Sequence, residues 1–169
     1  LVAFLSRLGK VGEFSVDGRS IVRSWETLVW TEAGNRLLNR TSHDSAARES
    51  TDLLWRPLTS RVAGVLPVEE ADRFSVHAGI PPTAFLRFDV QVLAAGEIEL
   101  DFGDPVGLAL WIDGVPTAIE GTWRDSLSEG THRFMVTVDT TAKPEGFTAE
   151  LRPVAGSAAS VRLVLNTGQ

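Results

Sequence analysis

Between residues 85 and 138 apolar and polar side chains alternate, segment after segment, with glycine-containing turns between the segments. Leu86, Phe88, Val90 and Val92 alternate with Arg87, Asp89 and Gln91, and Ile98, Leu100 and Phe102 alternate with Glu97, Glu99 and Asp101. A period of two sends one set of side chains to a core and the other to water, which is the pattern of half-buried antiparallel strands. Leu108, Leu110 and Ile112, then Phe134, Val136 and Val138, continue it, and Phe147, Ala149 and Leu151, then Val161, Leu163 and Leu165, close the series. The short connections leave no room for crossover helices, so about eight strands are expected in a mostly β fold, an antiparallel β-sandwich of jelly-roll or similar type. Ala95-Gly96 predicts a hairpin between the first two segments. Asp113-Gly114 predicts another, with residues 115–119 running back, and Glu129-Gly130 marks a further turn.

Upstream the pattern changes. Leu1, Val2, Phe4, Leu5 and Leu8 recur at helical spacing and Gly9-Lys10 supplies a stop, which predicts a short N-terminal helix closing some preceding domain. The expected division is therefore 1–14 for that helix and a linker, and 15–169 for the sandwich. Residues 21–30, rich in Trp, Val and Ile, lean to strand. Residues 31–50 carry a short helix around Leu37-Leu38, followed by a polar loop through Thr41, Ser42, Asp44 and Ser45; residues 55–66 return as strand.

A chain of 169 residues can build one sizeable core, and 43% apolar with 22% charged residues is ordinary for a globular domain. The formal charge of −6, without any run of Lys or Arg, disfavours nucleic acid and anionic lipid as partners. The absence of cysteine excludes disulfides, thiolate metal sites, thiol nucleophiles and covalent haem attachment within this chain. No stretch reaches the roughly 18 consecutive apolar residues of a spanning helix, so no membrane span is expected. The start at Leu1, without Met, suggests a piece of a longer protein.

Site chemistry is sparse. His43, His77 and His132 have no chelating spacing, and no Gly-x-Ser-x-Gly motif is present. Asp101 and Asp104 with Glu120 or Asp125 are carboxylates that a glycosidase would need to bring together, although acids on outward strand positions and in turns serve solubility equally well. Asp101, Asp104 and Asp113 are candidate calcium ligands at a sandwich rim, or simply turn formers at Asp104-Pro105 and Asp113-Gly114. Trp111, of opposite parity to Leu110 and Ile112, faces away from that core, and Trp123 is expected in a loop. Exposed, either ring would stack on a sugar or anchor a protein partner; the alternative for Trp111 is cover by the neighbouring segment or the N-terminal region. Trp25, Trp30 and Trp55 are expected in core or interdomain packing.

Two resemblances follow from these residues. Leu108-Ala109-Leu110-Trp111-Ile112-Asp113-Gly114, preceded by residues 97–102 and followed by Leu127-Ser128-Glu129-Gly130-Thr131-His132, is similar to the central part of the PA14-like β-sandwich family. That resemblance implies carbohydrate binding, possible in the family with calcium held by an adjacent Asp-Asp pair; here Phe102 and Gly103 separate Asp101 from Asp104. The whole chain also resembles the C-terminal region of large exported planctomycete-type proteins that carry a sorbosone-dehydrogenase-like propeller and a c-type cytochrome domain. Residues 1–10 are similar to the closing helix of the cytochrome, and Val22-Arg23-Ser24-Trp25, Trp55-Arg56-Pro57 and Gly64-Val65-Leu66-Pro67 to the segments that follow it. This second resemblance implies a periplasmic or extracellular setting, upstream domains of the same protein as partners, and haem c in a parent dehydrogenase. The chain itself is then expected to be a non-catalytic accessory module for packing or protein interaction, with polysaccharide binding as the alternative.

Overall fold

The computed structural model describes residues 20–48, 52–75 and 78–165. The expected N-terminal helix and the 1–14 boundary lie outside these residues, as does His77. Among the described residues, eleven strands form two antiparallel sheets that face each other as a sandwich: β1 (Ser20–Ile21), β2 (Ser24–Leu28), β3 (Trp55–Thr59), β4 (Thr83–Ala94), β5 (Gly96–Asp101), β6 (Leu108–Ile112), β7 (Val115–Thr117), β8 (Thr122–Leu127), β9 (Gly130–Asp139), β10 (Glu150–Pro153) and β11 (Ser160–Leu163). The smaller sheet runs β1-β10-β5-β8 and the larger β3-β2-β4-β9-β6-β7, with β11 also paired to β4.

β4 organises the larger sheet. Its ten paired positions with β9 run from Thr83↔Asp139 to Val92↔Gly130. Its other edge is shared, by β2 at Arg87 and Leu86 and by β11 from Val90 to Ala94. With both edges taken, β4 has no place for β5, so the expected β4–β5 hairpin does not form. The chain crosses at Ala95 into the other sheet, where β5 pairs with β8 and β10. Gly96 permits the crossing by its size: a Cβ there would lie 2.6 Å from Ser157 Oγ and 2.7 Å from the Ala159 nitrogen. A second crossing, through Ser128 and Glu129, joins β8 to β9.

The alternation itself holds. Ala84, Leu86, Phe88, Val90 and Val92 of β4 pack with Phe134, Val136 and Val138 of β9, Leu110 of β6, Trp25 of β2, and Ile98, Leu100, Trp123 and Leu151 from the smaller sheet. Phe88 stacks on Phe134 at 5.1 Å, and Trp25 and Trp123 meet this pair edge-on. Asp113 and Gly114, at φ 51° and 79°, make the two-residue turn expected of the β6–β7 hairpin, with Ile112 opposite Val115.

The outer face of the larger sheet is only half wet. Between β2 and β3 the chain inserts α1 (Glu32–Arg40) and α2 (Asp44–Ala47). Thr31 caps α1 by accepting the Gly34 N–H at 2.9 Å, and Glu32 pairs with Arg36 one turn on. α2 replaces part of the loop expected after Leu38. Leu38, Ala46 and Leu53 from this insertion, with Phe74, cover Leu28, Phe85, Trp111 and Met135, making a second small core on the side of the sheet that alternation assigns to solvent.

Candidate functional site

Beyond the edge of that helical cover, the outward positions of β4, β9 and the β6–β7 turn stay polar, and here the surface sinks into an open hollow of about 450 Å3 lined by Ala47, Arg48, Asp89, Asp113, Gly114, Thr131 and Arg133. Register builds it. Asp89 and Arg133 are direct cross-strand partners, and so are Gln91 and Thr131. The Arg133 guanidinium grips Asp89 with both ends, Nε to Oδ1 at 2.8 Å and Nη2 to Oδ2 at 3.0 Å, while the Thr131 hydroxyl donates to Gln91 Oε1 at 2.9 Å. The next outward pair along the face is Glu26 with Arg87, 2.6 Å apart, and that guanidinium lies 4.1 Å from the centre of the Trp55 ring.

Asp113 forms the rim. Its backbone N–H donates to the Arg133 carbonyl at 2.9 Å and its Oδ1 accepts the Arg133 N–H at 2.8 Å. Its Oδ2 lies 2.6 Å from His132 Nδ1, and the other ring nitrogen of His132 lies 2.8 Å from the Ser128 carbonyl oxygen. Burial of the imidazole pulls its pKa down, but the hydrogen bonds to Asp113 and Ser128 outweigh this and hold it above the ordinary histidine value. Gly114 packs the turn against the end of α2, 3.6 Å from the Ala47 carbonyl to where a Cβ would stand.

The other residues singled out in the sequence are placed elsewhere. Trp111 does face away from the main core, but α2 covers it: it is 7% exposed and donates Nε1–H to Asp44 Oδ1 at 2.7 Å. Trp123, expected in a loop, lies in β8 opposite Leu100 and is 6% exposed. Neither ring offers a stacking face. Trp25 is core, Trp55 is half-buried under Arg87, and Trp30 is 49% exposed. His43 packs edge-on to Phe85.

Asp101 Oδ1 accepts the Gly103 N–H at 2.7 Å, and its Oδ2 lies 4.0 Å from Arg152. Asp104 accepts the Val106 N–H and the Lys143 ammonium at 2.8 Å, and these two bonds, Lys143 first, hold its carboxyl below the usual range. All four carboxylate oxygens thus face a positive group or an N–H. No group of three or more His, Asp or Glu placed to hold a metal ion occurs among the described residues. Of the carboxylates weighed together with them, Asp125 accepts the N–H of Ser126 on β8 and Glu120 lies in the loop before that strand.

The outer face of the smaller sheet carries a charged ladder: Glu99 of β5 sits between its two register partners, Arg124 of β8 at 2.7 Å and Arg152 of β10, which together hold its carboxyl below the usual range against the effect of burial. No helix among the described residues is long and apolar enough to cross a membrane. No family model matches the chain, and no curated protein matches it.

Proposed function

We propose that this chain is a non-catalytic β-sandwich accessory module that acts by recognition, with the hollow on the larger sheet as its recognition surface. What supports this is the state of the charged groups there. Arg133 is committed to Asp89, and Asp113 to His132 and to the Arg133 amide. Groups fixed by one another present a constant set of donors and acceptors, which is what a recognition surface requires. In the setting the resemblance implies, a periplasmic or extracellular multidomain haem protein, the module packs against or recruits other domains. Trp30 and Leu54, both exposed, follow β2 and precede β3 at the same end of that pair and are apolar surface suited to such a contact.

Carbohydrate binding is the second reading, favoured by the composition of the hollow: Asp89, Asp113, Thr131, Arg48 and Arg133 supply both acceptors and donors, as vicinal hydroxyl groups require. In this version the sugar contacts polar groups in the hollow and not Trp111 or Trp123. Calcium at Asp101 and Asp104 would compete with Lys143.

Calorimetry against a panel of polysaccharides, with and without calcium, separates the two readings when run beside Arg133→Ala. Heat of binding that Arg133→Ala abolishes establishes the sugar reading. For the packing reading, Arg133→Ala in the hollow, and separately Trp30→Ser combined with Leu54→Ser, should weaken the assembly of the full-length parent or lower its melting temperature. A parent indifferent both to these changes and to deletion of the module removes that reading.

A further inference from the structure

His132 sits on β9 in register with Val90, so its side chain shares the core-facing side of the sheet, at the rim where the β6–β7 and β8–β9 turns meet; the side chain is 12% exposed. Each ring nitrogen is within hydrogen-bond distance of one oxygen: Nδ1 of Asp113 Oδ2 and Nε2 of the Ser128 carbonyl. A carbonyl oxygen only accepts, and so does an ionised carboxylate, whereas a neutral imidazole carries a single N–H. Only the doubly protonated ring satisfies both partners.

We propose that His132 is a proton-operated latch: as the imidazolium it ties the β6–β7 turn, through Asp113, to the β8–β9 turn, through Ser128, and loss of one proton unties the second. The Asp113 bond survives deprotonation because its partner is charged. The Nε2 lone pair then faces the Ser128 oxygen, and the two repel. Asp113 is the charged group in contact with the ring. Arg133, adjacent on β9, points to the opposite face, where Asp89 of β4 holds it; Glu129 of the β8–β9 turn is exposed. The latch borders the hollow on two sides, since Asp113 forms its rim and Thr131 is the second residue of β9, after the β8–β9 turn. That the latch modulates recognition rests on the function proposed above; the latch itself does not.

Nitrogen-15 NMR of the His132 ring across pH, in the chain without any ligand, tests it. Both ring nitrogens should be protonated in mildly acidic solution, with a titration midpoint above the ordinary histidine value of about 6.5. Above the midpoint the proton should remain on Nδ1. Hydrogen-exchange protection of the amides of residues 128–131, corrected for intrinsic rates, should fall about tenfold through the same midpoint, the scale of one charge-assisted hydrogen bond. In His132→Gln, whose amide does not titrate, that step should vanish. A midpoint at or below the ordinary value, a neutral ring protonated on Nε2, or protection that ignores the titration overturns the latch. Should His132→Gln not fold, the ring titration and exchange of the unaltered chain decide the matter. Because no ligand is used, the latch can fail while the hollow still binds, and the reverse.

Discussion

Arg133 and Asp89 stand opposite each other in the β4–β9 ladder and meet through two parallel hydrogen bonds, so one ion pair joins the two longest strands and forms the floor of the hollow. The pair is mostly shielded, its side chains 30% and 15% exposed. Arg133→Ala should cost about 1–2 kcal/mol of stability, between the values of a surface and a buried pair. Arg133→Lys, which keeps the charge and loses the fork, should recover only part of it. Urea denaturation of the three proteins measures this; equal midpoints would show that the pair is decoration.

Stability should also depend on His132. Its folded pKa is raised, so its contribution is complete below the unfolded value of about 6.5 and fades as pH rises through the higher folded value. Denaturation midpoints measured from pH 5 to 9 should therefore fall through that window, and His132→Gln should flatten this part of the curve.

Acid should act through Glu99, with the opposite sign. Arg124 and Arg152 lower its folded pKa, so the stabilisation is present above the unfolded value of about 4.3 and is lost as pH falls through the folded one. Glu99→Gln leaves two arginines facing each other across β5 and should lower the melting temperature at pH 7 while changing little in strong acid. A loss that is the same at both pH values would mean that packing, not charge, is what Glu99 contributes.

Among the described glycines, Gly146 is the one least able to carry a side chain. Its φ is +87°, and a Cβ would lie 1.9 Å from the Leu66 carbonyl oxygen, next to the Leu66–Phe147 bridge. Gly146→Ala should destabilise by about 3 kcal/mol or more, combining backbone strain with displacement of that bridge. Gly103→Ala, also at positive φ but with nothing within 4 Å, is the control for strain alone and should cost about 1 kcal/mol.

Trp111→Phe removes the indole N–H that Asp44 accepts while retaining an aromatic ring in the second core. A loss of about 1–2 kcal/mol is expected. In exchange measurements the loss should be concentrated in α1 and α2 and leave the β4–β9 amides unchanged. Uniform loss across the sandwich would mean that the helical cover and the sheets unfold as one.

The sequence made the sandwich visible because Leu86, Phe88 and Val90 against Arg87, Asp89 and Gln91 report the two faces of β4 directly. It was equally clear at Asp113-Gly114, where the dipeptide dictates the turn. It misled at Ala95-Gly96, since alternation tells which way a side chain points and not which sheet a strand joins; that choice was made by β2, β9 and β11 filling both edges of β4. Trp123 was hidden by its neighbours Thr122, Arg124, Asp125 and Ser126, which give β8 no apolar alternation, so only its pairing with Leu100 reveals its inward face. The hollow was hidden for the same kind of reason. Asp89 is a solvent-side position of an alternating strand until register sets Arg133 beside it, and the spacing of His132 carries no sign of the two oxygens that the fold brings to its ring.

The smaller sheet also carries a consequence in time. Its edge strand β1 pairs Ser20 with Leu151 and Ile21 with Glu150. Synthesis runs from the N-terminus, so a ribosome must deliver nearly the whole described chain before that ladder can close. Until then the inner sides of β5 and of the β4–β9 pair lack their final cover, and contacts this remote in sequence form slowly. The nascent sandwich therefore keeps this apolar surface unsealed until β10 has emerged to join β1 and β5.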